Sequence, residues 1–219
     1  MQVAACAPKS APFPPSRQVL EMLHNILITS VGGQGGITLA RILANAAIIQ
    51  GLDVRVGETL GMTQRGGSVQ SHVRIGKGVQ GSLIPRGQCD VLLSLESSEA
   101  IRVPEFLGKS TKVILNTSPV YSIPVILKEA KYPNLIDITA ALEKICDKIY
   151  SLDARTLALE ANAPTSVNMV ILGAYAALNE GSITTEFLRR AIGEALSKRY
   201  LEANLCAFDK GYKAMEKKL

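Results

Sequence analysis

The sequence predicts an α/β protein: a mostly parallel sheet with a β-hairpin insertion and a helical C-terminal third. Three observations predict it. The chain is 47% hydrophobic but only 5% aromatic, with no Trp, so its core must be aliphatic, as in parallel sheets buried on both faces. From Ile26 to Leu152, apolar runs of strand length alternate with helical patterns. From Val167 onward, apolar residues recur at three- and four-residue spacing with no further strand pattern. With 219 residues, of which 20% are charged, the chain suits one domain with a sizeable core.

Residues 1–24 carry Pro8, Pro12, Pro14 and Pro15 among small residues and lack the continuous apolar stretch of a signal peptide. They read as a disordered leader, a mis-assigned start or an expression scar, ahead of a domain at 25–219. Ile26–Val31 is the first strand. It runs into Gly32, Gly33, Gln34, Gly35 and Gly36, and then into a helix from Ile37 to about Gln50 that is apolar nearly all round. Gly51 closes that helix and Asp53–Gly57 forms the second strand, completing a βαβ unit and making the fold Rossmann-like. Glu58 to Gly67 is a polar, glycine-rich loop. Ser68–Ile75 then alternates, Gly76-Lys77-Gly78 turns, and Val79–Ile84 returns, which reads as a β-hairpin: an antiparallel edge or a functional insertion. Asp90–Leu95 and Thr111–Asn116 are buried strands, with a helix around Glu99–Leu107 between them. A helical stretch at Thr139–Cys146 precedes a short strand near Lys148–Leu152. Helices at Val167–Leu178, Thr184–Ser197 and roughly Tyr200–Lys218 follow.

Composition excludes several functions. The net charge of +5 is spread along the chain, which fits an ordinary solvated surface or attraction for an acidic or phosphorylated ligand. Arg65-Gly66-Gly67 is a single RGG triplet, poor support for nucleic-acid binding. No apolar run reaches the roughly 18 residues of a membrane span. Cys6, Cys89, Cys146 and Cys206 are far apart and form no CxxC, so the sequence offers no metal or cluster ligand set. Free thiols in a reducing cytoplasm fit this pattern best.

The glycine turn carries the strongest chemical signal. Glycine permits a tight turn at positive φ, and the following helix opens with unpaired N–H groups that suit an anion or a partner's polar atoms. The same glycines also fit tight strand–helix packing without a ligand. Gly-x-Gly-x-x-Gly fails, because the third glycine counted from Gly33 falls on Thr38. Gly108-Lys109-Ser110 lacks the leading glycine of a P-loop, since position 103 is Val103. His24 and His72 are the only histidines and have no nucleophile or acid at a recognisable spacing, so no catalytic residue is assigned. His72 reads as a solvated or partner-facing strand residue. Asn116-Thr117-Ser118 is a sequon without meaning in a cytoplasmic chain. Arg65 either clamps a carboxylate or phosphate or satisfies loop carbonyls.

Two motifs stand together: Val31-Gly32-Gly33-Gln34-Gly35, and Gly61-Met62-Thr63-Gln64-Arg65-Gly66-Gly67-Ser68 with Ser71-His72-Val73-Arg74. Leu83-Ile84-Pro85, Asp90-Val91-Leu92-Leu93, Glu96, Asn168 to Gly173, Asn204 to Phe208 and Gly211-Tyr212 follow in order. This set resembles the gamma-type domain of the 2-oxoacid:ferredoxin oxidoreductases, and within them the beta subunits of the indolepyruvate type, over about residues 25–213. Ser30 departs from the family, which often has glycine there.

The resemblance implies one subunit of a complex that oxidatively decarboxylates arylpyruvates such as indolepyruvate, passes the acyl group to coenzyme A and reduces ferredoxin. It implies no cofactor bound by this chain alone. Thiamine diphosphate and 4Fe-4S clusters are expected on a large alpha subunit, with coenzyme A as co-substrate. By analogy Gly32, Gly33, Gln34, Gly35, Gly36, Thr63, Gln64, Arg65, Gly66 and Gly67 form one wall of a shared site. Two alternatives stand beside this. One is a gamma subunit acting on pyruvate, 2-oxoglutarate or 2-oxoisovalerate. The other is a non-catalytic nucleotide-binding α/β module, supported by the glycine turn alone.

Overall fold

Every residue of the first strand, β1 (His24–Val31), is buried, because it lies inside a six-stranded sheet covered on both faces. The computed structural model describes residues 23–58, 67–121, 123–179, 181 and 183–219. Residues 1–22, most of the expected leader, lie outside the described residues; His24, assigned to that leader from the sequence, opens β1. The other strands are β2 (Val54–Glu58), β3 (Ser68–Ile75), β4 (Val91–Ser94), β5 (Lys112–Asn116) and β6 (Lys148–Leu152), in the spatial order β2-β3-β1-β4-β5-β6. β1, β4, β5 and β6 are mutually parallel, and β3 is antiparallel to both β1 and β2. The α/β, mostly parallel architecture is the one expected.

The hairpin is built differently from the expectation. Ser68–Ile75 is an antiparallel strand, but its partners are β2 and β1, and Val79–Ile84 forms no strand. The reason is geometric: both edges of β3 already carry ladders, so no edge remains for a returning strand. Side chains hold the segment across β3 instead. Arg74 donates from Nη1 to the carbonyls of Gly81 (2.9 Å) and Leu83 (3.2 Å) and from Nε to Asn25 Oδ1 (2.9 Å). His72 is buried, not solvated; its Nδ1 accepts the Ile84 N–H at 3.4 Å and its ring meets Phe106 edge-on at 5.0 Å.

One face of the sheet is covered by α1 (Gly36–Ile49), α5 (Ala154–Glu160), α6 (Val167–Ala177), α7 (Thr185–Ala195) and α8 (Lys198–Glu216). Ile26, Ile28, Val73, Leu93 and Ile114 point into this larger core. The opposite face packs Leu27, Leu92, Val113 and Leu115 against α2 (Ser97–Ala100), a 3₁₀ turn (Pro104–Phe106) and α4 (Leu135–Glu143). The period-two alternation of the strands thus divides their side chains between two cores. A short α3 (Ile123–Ile126) lies between β5 and α4. The expected helix at Glu99–Leu107 is broken in two, since Pro104 starts a separate turn rather than continuing α2. α6 is buried from Asn168 through Ala177, consistent with its lack of a polar stripe.

The last third is held by a close crossing of α6 and α8. A Cβ on Gly173 would lie 1.9 Å from the Phe208 carbonyl oxygen, and one on Gly211 would lie 1.9 Å from that of Val170. Only glycine at both positions lets the two backbones touch.

Candidate functional site at the carboxyl ends of the strands

The chain leaves β1 through α1 towards β2 on one side of the sheet, and β4, β5 and β6 follow on the other. The carboxyl end of β1 is therefore the topological switch point, where open α/β sheets form their ligand crevice. The glycine turn sits there. Gly33 has φ 101° and Gly35, the N-cap of α1, has φ 82°.

The glycines serve different ends. Gly35 and Gly36 are packing positions: a Cβ on Gly35 would stand 2.5 Å from Asn168 Nδ2, and one on Gly36 would stand 2.4 Å from Ser30 Oγ. Asn168 Nδ2 also donates to the Gly35 carbonyl at 3.2 Å, fastening α6 to the turn. Gly33 is exposed, and nothing lies within 4 Å of where its Cβ would be. Gly32 joins the turn to the second motif, its N–H donating to the Gly67 carbonyl at 2.8 Å. Thr63, Gln64, Arg65 and Gly66 lie outside the described residues.

Gln34 is committed to backbone. Its Oε1 accepts the Val31 N–H at 2.7 Å and its Nε2 donates to the Leu95 carbonyl at 3.1 Å. Leu95 follows β4, and its carbonyl also accepts from Asn116 Nδ2 at 2.9 Å. Asn116 Oδ1 in turn accepts the N–H groups of Ser118 (3.2 Å) and Ala154 (3.1 Å). One line of side-chain bonds therefore fixes the ends of β1, β4 and β5 to the start of α5. Asp153 caps α5, accepting from Thr156 N, Thr156 Oγ1 and Ser118 Oγ, and these bonds hold its carboxyl below the usual range.

The turn divides two depressions. The first, of about 240 Å³, is lined by Gly33, Gln34, Asn116, Ser118, Arg155 and Thr165, with Val120, Pro164 and Val167 as its apolar part. The second, of about 300 Å³, lies against Ser30, Gly32, Gly36, Ile37 and Val69. Next to Leu95 in the chain, Glu96 is fully buried at the N-cap of α2, where it accepts from Tyr132 Oη, Ser98 Oγ and Glu99 N. Burial and this bond to Glu96 push the Tyr132 phenol up, so it stays a donor.

Sequence reasoning missed Asn116, Ser118, Arg155 and Thr165 as site residues. A usable signal existed: short polar residues just past the ends of buried parallel strands, at Asn116-Thr117-Ser118 and at Asp153. Among the described residues no group of three or more His, Cys, Asp or Glu side chains could hold a metal ion. Cys89 and Cys146 are buried, with burial raising both thiols, while Cys206 is exposed on α8. These thiols do not fit an iron–sulfur cluster. No described helix is long and apolar enough to cross a membrane.

A six-stranded α/β sheet with its crevice at a glycine turn defines the class, and solved structures share the fold. The keto/oxoacid ferredoxin oxidoreductase gamma subunit from Geobacter sulfurreducens PCA has a TM-score of 0.65 at 23% identity, covering 88% of this chain and 98% of that one. A 2-oxoglutarate:ferredoxin oxidoreductase from Magnetococcus marinus, solved with 2-oxoglutarate, coenzyme A and succinyl-CoA bound, has a TM-score of 0.67 at 22% identity, covering 90% of this chain and 31% of that one. Residues 25–214 match the family described as pyruvate ferredoxin/flavodoxin oxidoreductase, and the chain belongs to that family. It is similar to the indolepyruvate oxidoreductase subunit IorB of Archaeoglobus fulgidus, with 40% identity over 191 residues that cover 87% of this chain and 94% of the relative. The corresponding subunit of Pyrococcus horikoshii is 38% identical, covering 90% and 98%. The pyruvate/ketoisovalerate oxidoreductases common subunit gamma of Pyrococcus furiosus is 30% identical, covering 84% and 93%.

Proposed function

We propose that this chain is a subunit of a ferredoxin-dependent oxidoreductase that converts arylpyruvates such as indolepyruvate to the aryl-acyl-CoA. In that reaction the bond between the carboxylate carbon and the keto carbon breaks and carbon dioxide leaves. The acyl group passes to the sulfur of coenzyme A, and the electron pair goes to ferredoxin. Thiamine diphosphate and 4Fe-4S clusters belong to a large alpha subunit in this reading. Among the described residues no group of His, Cys, Asp or Glu side chains could hold such a cluster. This chain instead offers the partner a rigid wall: the turn Gly32–Gly36, fixed by Gln34 and Asn168, with the Gly67 end of the second motif bonded to it.

The observation that carries the reading is the similarity to indolepyruvate oxidoreductase subunits along nearly their whole length, higher than to the pyruvate/ketoisovalerate gamma subunits. Reconstitution tests it. The purified chain alone should show no oxidoreductase activity, no brown colour and no bound thiamine diphosphate, and activity should appear on adding the large subunit. Turnover by the isolated chain would overturn the proposal. Tight binding of ATP or NAD by the isolated chain would favour the nucleotide-binding module instead.

A further inference from the structure

The chain between β5 and α4 is loosely attached. None of the described residues in 119–131 is buried, and Tyr121, Ile126 and Leu127 are exposed. None of its described apolar side chains joins either core. Among the described residues, no hydrogen bond or ion pair ties this stretch to the rest of the chain. Its own bonds are local: the Lys128 N–H donates to the Val125 carbonyl at 3.1 Å, at the end of α3. A helix of four residues does not hold itself in water. The stretch is anchored at its two ends. Ser118 fixes the β5 end, donating its N–H to Asn116 Oδ1 and its Oγ–H to Asp153 Oδ1. Tyr132 fixes the α4 end. Its hydroxyl donates to Glu96 Oε1 and lies 3.1 Å from Ser97 Oγ, and its ring meets that of Tyr121 edge-on at 5.1 Å.

Glu96 makes this second anchor a two-state contact. Its carboxylate is fully buried, and its partners are three donors, Tyr132 Oη, Ser98 Oγ and the Glu99 N–H, with no cation among them. Losing the Tyr132 bond leaves a buried carboxylate short of a donor, a cost that water relieves once the stretch moves away. We propose that residues 119–131 are a latched strap, held closed by the bond from Tyr132 to Glu96. When that bond breaks, the strap moves out between Ser118 and Asn134 and water reaches Glu96. The movement opens one rim of the crevice, because Ser118 and Val120 line it. The latch also adjoins the glycine turn through the chain: Glu96 follows Leu95, whose carbonyl accepts from Gln34. The strap requires neither a partner subunit nor a ligand, so it stands independently of the proposed function.

Residue-resolved amide exchange on the full-length chain tests this. Tyr132→Phe keeps the ring against Tyr121 and removes only the hydroxyl. Lys128 should be protected in the wild type and exchange at least about tenfold faster in Tyr132→Phe. Thr117 and Ile138, hydrogen-bonded at the adjoining ends of β5 and α4, should stay within about twofold of wild type. Glu96→Gln should accelerate Lys128 by less, since an amide oxygen still accepts from Tyr132. The double variant should be no faster there than Tyr132→Phe alone, because both changes act on one bond. An unprotected Lys128 in the wild type, or unchanged exchange in Tyr132→Phe, overturns the latch. Equal acceleration at Thr117 and Ile138 would make Tyr132 a support of the whole fold and also overturn it. Additive acceleration in the double variant would assign the two residues separate roles, with the same consequence.

Discussion

Gly33 and Gly35 both stand at positive φ two residues apart, yet their substitution should have different consequences. Gly35→Ala adds a methyl group 2.5 Å from Asn168 Nδ2 and strains φ as well, and should destabilise the fold by about 2–3 kcal/mol. Gly33→Ala meets no atom and should cost only the left-handed backbone penalty, about 1–2 kcal/mol. Urea denaturation of the two variants checks this, and equal losses would contradict it. The histidines set the pH dependence. Burial lowers both His24 and His72 below the ordinary value of 6.5, outweighing the opposing pull of Asp90 on His24 and of Glu105 on His72. A depressed histidine is neutral in the fold but takes up a proton on unfolding once the pH drops under 6.5. Its contribution is therefore complete above that pH and lost as pH falls towards the folded value. Thermal unfolding should show Tm falling between about pH 7.5 and about pH 5.5, with a shallower fall in His72→Gln. A Tm that rises on acidification over that window would refute the assignment.

The α6–α8 crossing depends on two backbones in contact. Gly173→Ala or Gly211→Ala places a methyl group 1.9 Å from a carbonyl oxygen, so the helices must separate. A loss of about 2–4 kcal/mol is expected, read as a lower Tm; an unchanged Tm would mean the crossing is looser than described. Arg74 performs a comparable task for the segment after β3. Arg74→Met should speed amide exchange between Val79 and Ile84 while leaving exchange in β1 nearly unchanged. Equal acceleration in both would show that Arg74 supports the sheet, not the segment. Much of this level was legible in the sequence. β6 falls at Lys148–Leu152 and α6 starts at Val167, as read from the sequence, α6 because its nearly unbroken apolar run is too long for a strand. The partner of β3 was not legible, since alternation shows which face is buried but not which strand lies alongside. α5 was missed because its buried side chains are only Ala154 and Ala158, too small to mark a face.

At the scale of the molecule, the glycine turn of the candidate site was legible in the sequence and the residues across the crevice from it were not. Four glycines in five positions announce the turn, because few other sequences need them. Gln34, Leu95, Asn116 and Ala154 meet only after β1, β4 and β5 align, and no local pattern records that meeting. Arg155 was hidden for the same reason, as an isolated arginine in a sequence of 24 basic residues. The family follows from residues 25–214, and the central claim is the preference for indolepyruvate among the 2-oxoacids. The direct test is kcat/KM for indolepyruvate, pyruvate, 2-oxoglutarate and 2-oxoisovalerate, measured on the complex of this chain with its large subunit, coenzyme A and ferredoxin. The account predicts that indolepyruvate exceeds each of the others by at least about tenfold, a transition-state preference of about 1.4 kcal/mol. Equal or greater kcat/KM for pyruvate would contradict it.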